Sequence, residues 1–102
     1  MREFRTVARL EDVPDAGLHA VELDGIGIVL ANSGGEILAL RDECSHEEFP
    51  LSDGEIVNGQ VECILHGARF DLRTGAAKAL PAVRPVKAYE CRVLDGEIQV
   101  RL

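Results

Sequence analysis

Between residues 18 and 102 the chain reads as short runs of strand-like pattern separated by two-residue turns. In residues 18–23 apolar and polar positions largely alternate, the period of a strand with one buried face. Asp24-Gly25 follows as a tight hairpin signal, then residues 26–31 form a continuous apolar run. Gly27 inside that run predicts a bulge or a close packing approach. Asn32-Ser33-Gly34-Gly35 is a second turn, and residues 36–41 are the next strand. Residues 4–10 have β-compatible character, and residues 86–94 and 98–102 flank Asp95-Gly96, a further hairpin. No window of eleven or more residues carries a 3.6 period, and residues 11–14 could make one helical turn at most. The pattern predicts an all-β fold, a small antiparallel sandwich or barrel.

The middle third interrupts this meander. Asn58-Gly59, with alternating residues on both sides over 55–62, is a strong type I′ hairpin signal. The strands of a hairpin run back together, so the segment before it and the segment after it become neighbours. Those segments are Cys44-Ser45-His46 and, sixteen residues on, Cys63-Ile64-Leu65-His66. Each supplies one thiolate and one imidazole, which makes four metal-ligand side chains facing one gap. The usual zinc finger groups its two Cys before its two His. One Cys and one His from each of two loops suit a binuclear iron–sulfur cluster, with both Cys on one iron and both His on the other, the Rieske ligation of [2Fe–2S]. A structural zinc site is the competing reading of the same residues, and colourless protein holding one zinc would establish it.

Composition narrows the setting. A chain of 102 residues makes one domain, and folding at this size buries roughly 65% of the unfolded chain's surface. Aromatic residues are few (Phe4, Phe49, Phe70, Tyr89) and the net charge is −7, which argues against nucleic acid as a partner. No run of residues reaches signal-peptide or membrane-spanning length, and three Cys do not make a disulfide framework. We expect a cytoplasmic protein with no membrane partner. Asp42, Glu43, Glu47, Glu48, Asp53, Glu55 and Glu62 crowd the ligand region, where residues 42–62 contain no Lys or Arg. Glu47 and Glu48, next to His46, are the candidates for an acidic docking rim. Cys91, in a strand pattern near Tyr89 and Val93, is expected to be a core thiol, and His19 a surface residue.

The motifs Cys44-Ser45-His46 and Cys63-Ile64-Leu65-His66-Gly67, continued by Phe70-Asp71, the Thr74-Gly75 turn and Ala79-Leu80-Pro81, resemble the Rieske-type ferredoxins of bacterial aromatic-ring dioxygenase systems. The resemblance covers nearly the whole chain. It implies a single Rieske domain over residues 1–102: a β base domain of residues 1–41 and 75–102, and an inserted cluster-binding subdomain of about residues 42–74. It also implies one [2Fe–2S] cluster held by Cys44, His46, Cys63 and His66, with the two His on the exposed edge. Leu80-Pro81 would be the proline loop that shields the cluster.

The chain departs from the high-potential members of that family. Their paired loop cysteines correspond here to Phe49 and Leu65, and their Ser and Tyr hydroxyl donors to Ala68 and Phe70. Hydrogen bonds to the sulfurs stabilise the reduced, more negative cluster, so their loss lowers the potential. Neutral imidazoles act in the opposite sense, because the oxidised cluster with two thiolates is neutral where four would leave it doubly negative. The expectation is a potential near the bottom of the Rieske range, about −150 mV. The resulting expectation is a soluble one-electron carrier, not itself an enzyme. It would run from an NAD(P)H-dependent flavoprotein reductase to a terminal non-haem iron oxygenase, whose own 2-His-1-carboxylate site this chain cannot supply. A role in iron–sulfur assembly or another redox route, the small subunit of nitrite reductase, and a non-redox module with a structural metal are the rival readings.

Overall fold

The computed structural model describes residues 3–43, 50–64, 67–80 and 84–102. The strands are β1 (Arg5–Arg9), β2 (Leu18–Leu23), β3 (Ile26–Ser33), β4 (Glu36–Arg41), β5 (Glu55–Val57), β6 (Gln60–Glu62), β7 (Arg69–Asp71), β8 (Ala77–Ala79), β9 (Ala88–Leu94) and β10 (Glu97–Arg101). Single 3-10 turns occur at Leu10–Asp12 and Leu51–Asp53. The fold is all-β, as the pattern predicts. Four strand pairs are joined by two-residue turns, at Asp24-Gly25, Gly34-Gly35, Asn58-Gly59 and Asp95-Gly96. Both residues of each turn have positive φ, between 50° and 95°, the geometry that matches the twist of antiparallel strands.

Two sheets result. Six strands in the order β1-β10-β9-β4-β3-β2 curl into a nearly closed barrel, and β5-β6-β7-β8 form a second, smaller sheet. The two edges of the barrel sheet are tied by Arg5 in β1, whose guanidinium donates to both carboxylate oxygens of Asp24 at 3.2 and 3.1 Å. Ile28 and Leu30 of β3 lie in the barrel core with Ile37, Ala39, Ile98 and Val100. Val29 and Ala31, on the opposite face of the same strand, lie in a second core with Leu40, Val61, Phe70 and Leu72, between the barrel and the smaller sheet. A strand covered on both faces has no polar face, which is why residues 26–31 read as unbroken apolar sequence.

The structure adds β7 and β8 to the strands of the pattern, shifts the bounds of the last two strands to 88–94 and 97–101, and differs further at Gly27, Asn32-Ser33 and Leu10. Gly27 makes no bulge, since β2 and β3 pair in unbroken register from Leu18↔Ala31 to Leu23↔Ile26. Its carbonyl instead accepts the Asp42 N–H at 3.0 Å, and a Cβ there would lie at ordinary contact distance from the Asp42 side chain. Asn32 and Ser33 belong to β3 rather than to the turn. The Asn32 side chain is buried, donates from Nδ2 to the Val13 carbonyl at 2.9 Å and accepts from the Gly35 N–H at 2.9 Å. Leu10 leaves β1 for the 3-10 turn, where Asp12 Oδ2 accepts the Arg9 N–H at 3.0 Å.

Two glycines permit close backbone approaches, Gly54 to the end of β6 within the smaller sheet and Gly75 to the segment that leads into β9. A Cβ on Gly54 would stand 1.9 Å from the Glu62 carbonyl oxygen, and one on Gly75, where φ is +76°, would stand 2.0 Å from that of Val86. Gly54→Ala should therefore destabilise the fold by about 3 kcal/mol or more, the upper range of overpacking, seen as a lower denaturant midpoint at unchanged slope. Cys91 is half-buried against the barrel core, and loss of hydration pushes its thiol up to about 11. A thiol raised in the folded state contributes stability that is complete below its unfolded value of about 9 and lost as pH rises through about 11. Unfolding free energy should fall across that window in the wild type and fall less in Cys91→Ala, measured by denaturant titration at several pH values.

Candidate metal centre

The topology gathers three segments that flank the strands of the smaller sheet at one end. Glu55 pairs with Glu62, Glu62 with Arg69, and Arg69 with Ala79. The chain therefore enters β5, leaves β6, enters β7 and leaves β8 at that same end, and the segments before 55, from 63 to 68, and after 79 all emerge together.

Cys63 stands at the exit of β6. It is buried, 1% exposed, in the core between the sheets beside Leu51, Ala68 and Phe70. Its N–H donates to the Ala68 carbonyl at 2.7 Å, and Gly67 at φ +73° turns the chain back into β7. This closes a short loop with Cys63 at its base, and Ile64, next along it, is 58% exposed. Neither Cys63 nor Cys91 is in a disulfide. The thiol of Cys63 is the sort of soft donor a metal cluster takes, fixed by backbone bonds at the mouth of the loop. Cys44, His46 and His66 lie outside the described residues, as do Glu47, Glu48, Phe49, Leu65 and Pro81. Among the described residues no three potential ligands cluster, because Cys63 is the one predicted ligand they include.

The frame of the first segment is described on both sides of it. Arg41 and Asp42 extend the barrel wall, Arg41 N–H donating to the Lys87 carbonyl at 2.8 Å and Asp42 N–H to Gly27. The Asp42 carboxylate accepts the Ser52 N–H and the Ser52 hydroxyl, each at 2.7 Å. Leu51, fully buried, inserts into the same core as Cys63, so the end of the first segment and the start of the second share one apolar pocket. In the sequence Asp42 is only one more negative charge of the acidic stretch. Its pairing with Ser52 closes a loop of ten positions, for which no local spacing rule exists.

The charge map also changes. Glu62 is paired across the strands with Arg69, Nε to Oε2 at 2.7 Å, so the acidic stretch is partly neutralised by a residue outside it. Glu43, Asp53 and Glu55 remain exposed. At the far end of the smaller sheet, Asp71 accepts the N–H groups of Arg73 and Thr74 at 2.8 and 3.1 Å. The first of these, above all, holds its carboxyl below the usual range. Arg73 in turn pairs with Glu36 at the start of β4, tying that end of the sheet to the barrel. Ala68 and Phe70 are fully buried apolar side chains and carry no hydroxyl donor. Leu80, 76% exposed, leaves β8 at the Cys63 end. Among the described residues no helix is long and apolar enough to cross a membrane.

Known proteins agree with this geometry. Residues 3–90 match the model of the Rieske [2Fe-2S] domain. The ferredoxin subunit of 3-phenylpropionate/cinnamic acid dioxygenase from Photorhabdus laumondii is 43% identical over 95 residues, covering 92% of this chain and 90% of that one. The ferredoxin of carbazole 1,9a-dioxygenase from Nocardioides aromaticivorans IC177 superposes with a TM-score of 0.91 at 37% identity, covering 95% of both chains. A ferredoxin solved in complex with the reduced oxygenase of carbazole 1,9a-dioxygenase superposes with a TM-score of 0.89 at 26% identity, over 96% of this chain and 92% of that one. The chain belongs to the Rieske [2Fe-2S] domain family, among its electron-carrying ferredoxins, and its cofactor is one Rieske-type [2Fe–2S] cluster.

Proposed function

We propose that this chain is the low-potential electron carrier of a multicomponent dioxygenase system, and that Cys44, His46, Cys63 and His66 hold its cluster. The observation that carries the reading is Cys63: a buried thiol at the base of a backbone-closed loop, at the sheet end where the other ligand segment must arrive. Loops 42–54 and 63–68 with β5, β6 and β7 form the cluster-binding part, about residues 42–74, on a base of residues 1–41 and 75–102 that lends β8 to the smaller sheet. A bound cluster supplies a reversible one-electron site. The chain's own residues fix its posture and its environment. Cys63 provides a thiolate from the protein interior, and Ala68 and Phe70 surround it with carbon where a hydroxyl would have donated to sulfur. That environment favours the oxidised state and a low potential.

Electrons would come from an NAD(P)H-dependent flavoprotein reductase and go to a non-haem iron oxygenase, in the cytoplasm, where free thiols such as Cys91 persist. Support for the oxygenase comes from the similar ferredoxin solved in complex with one. Docking would use the loop end of the smaller sheet. Ile64 and Leu80 are exposed apolar side chains there, and exposed Glu43, Asp53 and Glu55 favour a partner whose rim is basic.

Purified wild-type protein should contain two irons and two acid-labile sulfides and titrate near −150 mV. Cys44→Ala, Cys63→Ala and His66→Ala should each lose the iron, while Cys91→Ala keeps it. Full iron in any of the first three, or a midpoint above zero, contradicts the assignment. Ile64→Ser and Leu80→Ser should slow stopped-flow electron transfer to the oxygenase by about tenfold, equivalent to 1.4 kcal/mol, at unchanged midpoint. Reversing Glu47 and Glu48 to Lys should slow it chiefly at low salt. Rates that stay at the wild-type value in all of these would place the docking surface elsewhere.

A further inference from the structure

We propose that Asp42 is the positioning residue of the first ligand segment. Its carboxylate closes the chain around Cys44 and His46 by accepting two hydrogen bonds from Ser52. This rests on the reading of those two residues as ligands. The contact has three features that a chance surface pair lacks. It is bidentate, with Ser52 N–H on Oδ1 and Ser52 Oγ on Oδ2, both at 2.7 Å. Asp42 is itself fixed, because its N–H on the Gly27 carbonyl carries the β3–β4 ladder one residue past the last strand pair. Ser52 is fixed as well, between fully buried Leu51 and Gly54, whose packing on the Glu62 carbonyl leaves no room for a side chain.

The two flanks of the segment are thus anchored to different sheets, Asp42 to the barrel wall and Ser52 to the base of the β5–β6 hairpin. Asp42–Ser52 is a polar tie between them at the cluster end. Arg73–Glu36 is its counterpart at the opposite end, but that ion pair is exposed and holds no ligand segment. Ligands brought by two loops keep their spacing only if the loops keep theirs, so the tie acts on the cluster through Cys44 and His46 without touching it.

Geometry and charge can be separated. Asn at position 42 could still accept the Ser52 N–H at Oδ1 and donate from Nδ2 to Ser52 Oγ, with no charge. Ala could do neither. A positioning role predicts that Asn behaves like Asp, whereas a role for negative charge alone predicts that Asn behaves like Ala.

The experiment is the rate of iron loss from the holoprotein to a chelator, compared among wild type, Asp42→Asn, Asp42→Ala and Ser52→Ala. Hydrogen exchange of the Ser52 amide in the apoprotein accompanies it. Asp42→Ala should lose iron roughly 10- to 100-fold faster, the usual effect of removing a group that orients ligands. Ser52→Ala, which keeps the amide bond, should fall between, and Asp42→Asn should stay close to wild type. The Ser52 amide should be protected in wild type and Asp42→Asn and exchange freely in Asp42→Ala. Wild-type iron retention in Asp42→Ala, or Asp42→Asn as labile as Asp42→Ala, overturns the proposal. If Asp42→Ala does not fold, Ser52→Ala at the wild-type rate overturns it. Wild-type protein without iron and sulfide would instead defeat the ligand reading, and Ser52 exchange in the apoprotein would still decide the contact.

Discussion

Strands β3 and β4 are buried from both sides, and the placement of everything else depends on that double burial. Ile28 and Leu30 fill the barrel, while Val29, Ala31 and Leu40 receive Val61, Phe70 and Leu72 from the smaller sheet. Fully burying one such side chain contributes about 1.5–3 kcal/mol, so this wall supplies much of the stability a 102-residue domain can gather. The smaller sheet is four strands of three residues each, too little to hold its shape alone. Its rigidity is borrowed from the barrel through the shared core and through the close backbone approach of Gly75 to Val86.

That arrangement has a functional consequence. A carrier must hold its redox group in nearly the same geometry in both oxidation states and yet leave it near the surface. Here the first requirement is met by the core, which takes in Cys63 and Leu51 at the roots of both ligand segments. The second is met by topology, which sends the segments before β5, between β6 and β7 and after β8 out at one end, with Ile64 and Leu80 exposed beside it. Ala68 and Phe70 fill the core beside Cys63. In the proposed ligation they would also offer the cluster no hydroxyl donor.

Much of this was legible in the sequence. The positive-φ dipeptides fixed the hairpins, since Asn-Gly and Asp-Gly are among the few pairs that adopt that geometry cheaply. The ligand motif announced its chemistry because its donors are rare residues at an unusual spacing. What stayed hidden was non-local. Asn32 reads as a turn residue, and only its buried side chain, bonded to Val13 and Gly35, reveals why it sits in a strand. Gly27 reads as a bulge or a close packing approach, and instead it sits in unbroken register with its carbonyl bonded to Asp42. Glu62 reads as one more acid in an acidic stretch until β7 brings Arg69 alongside. Asp42 reads the same way until the fold delivers Ser52.

The central claim is that one iron takes the two thiolates and the other the two imidazoles, with Cys44, Cys63, His46 and His66 as the donors. Mössbauer spectroscopy of iron-57-enriched protein, oxidised and then reduced by one electron, tests it most directly. The account predicts two iron sites of unequal isomer shift in the oxidised state, with the added electron localised on the nitrogen-ligated iron. Nitrogen-15 labelling of histidine should alter the hyperfine spectrum of the reduced protein. Two equivalent sulfur-ligated irons, or a spectrum indifferent to histidine labelling, would contradict it.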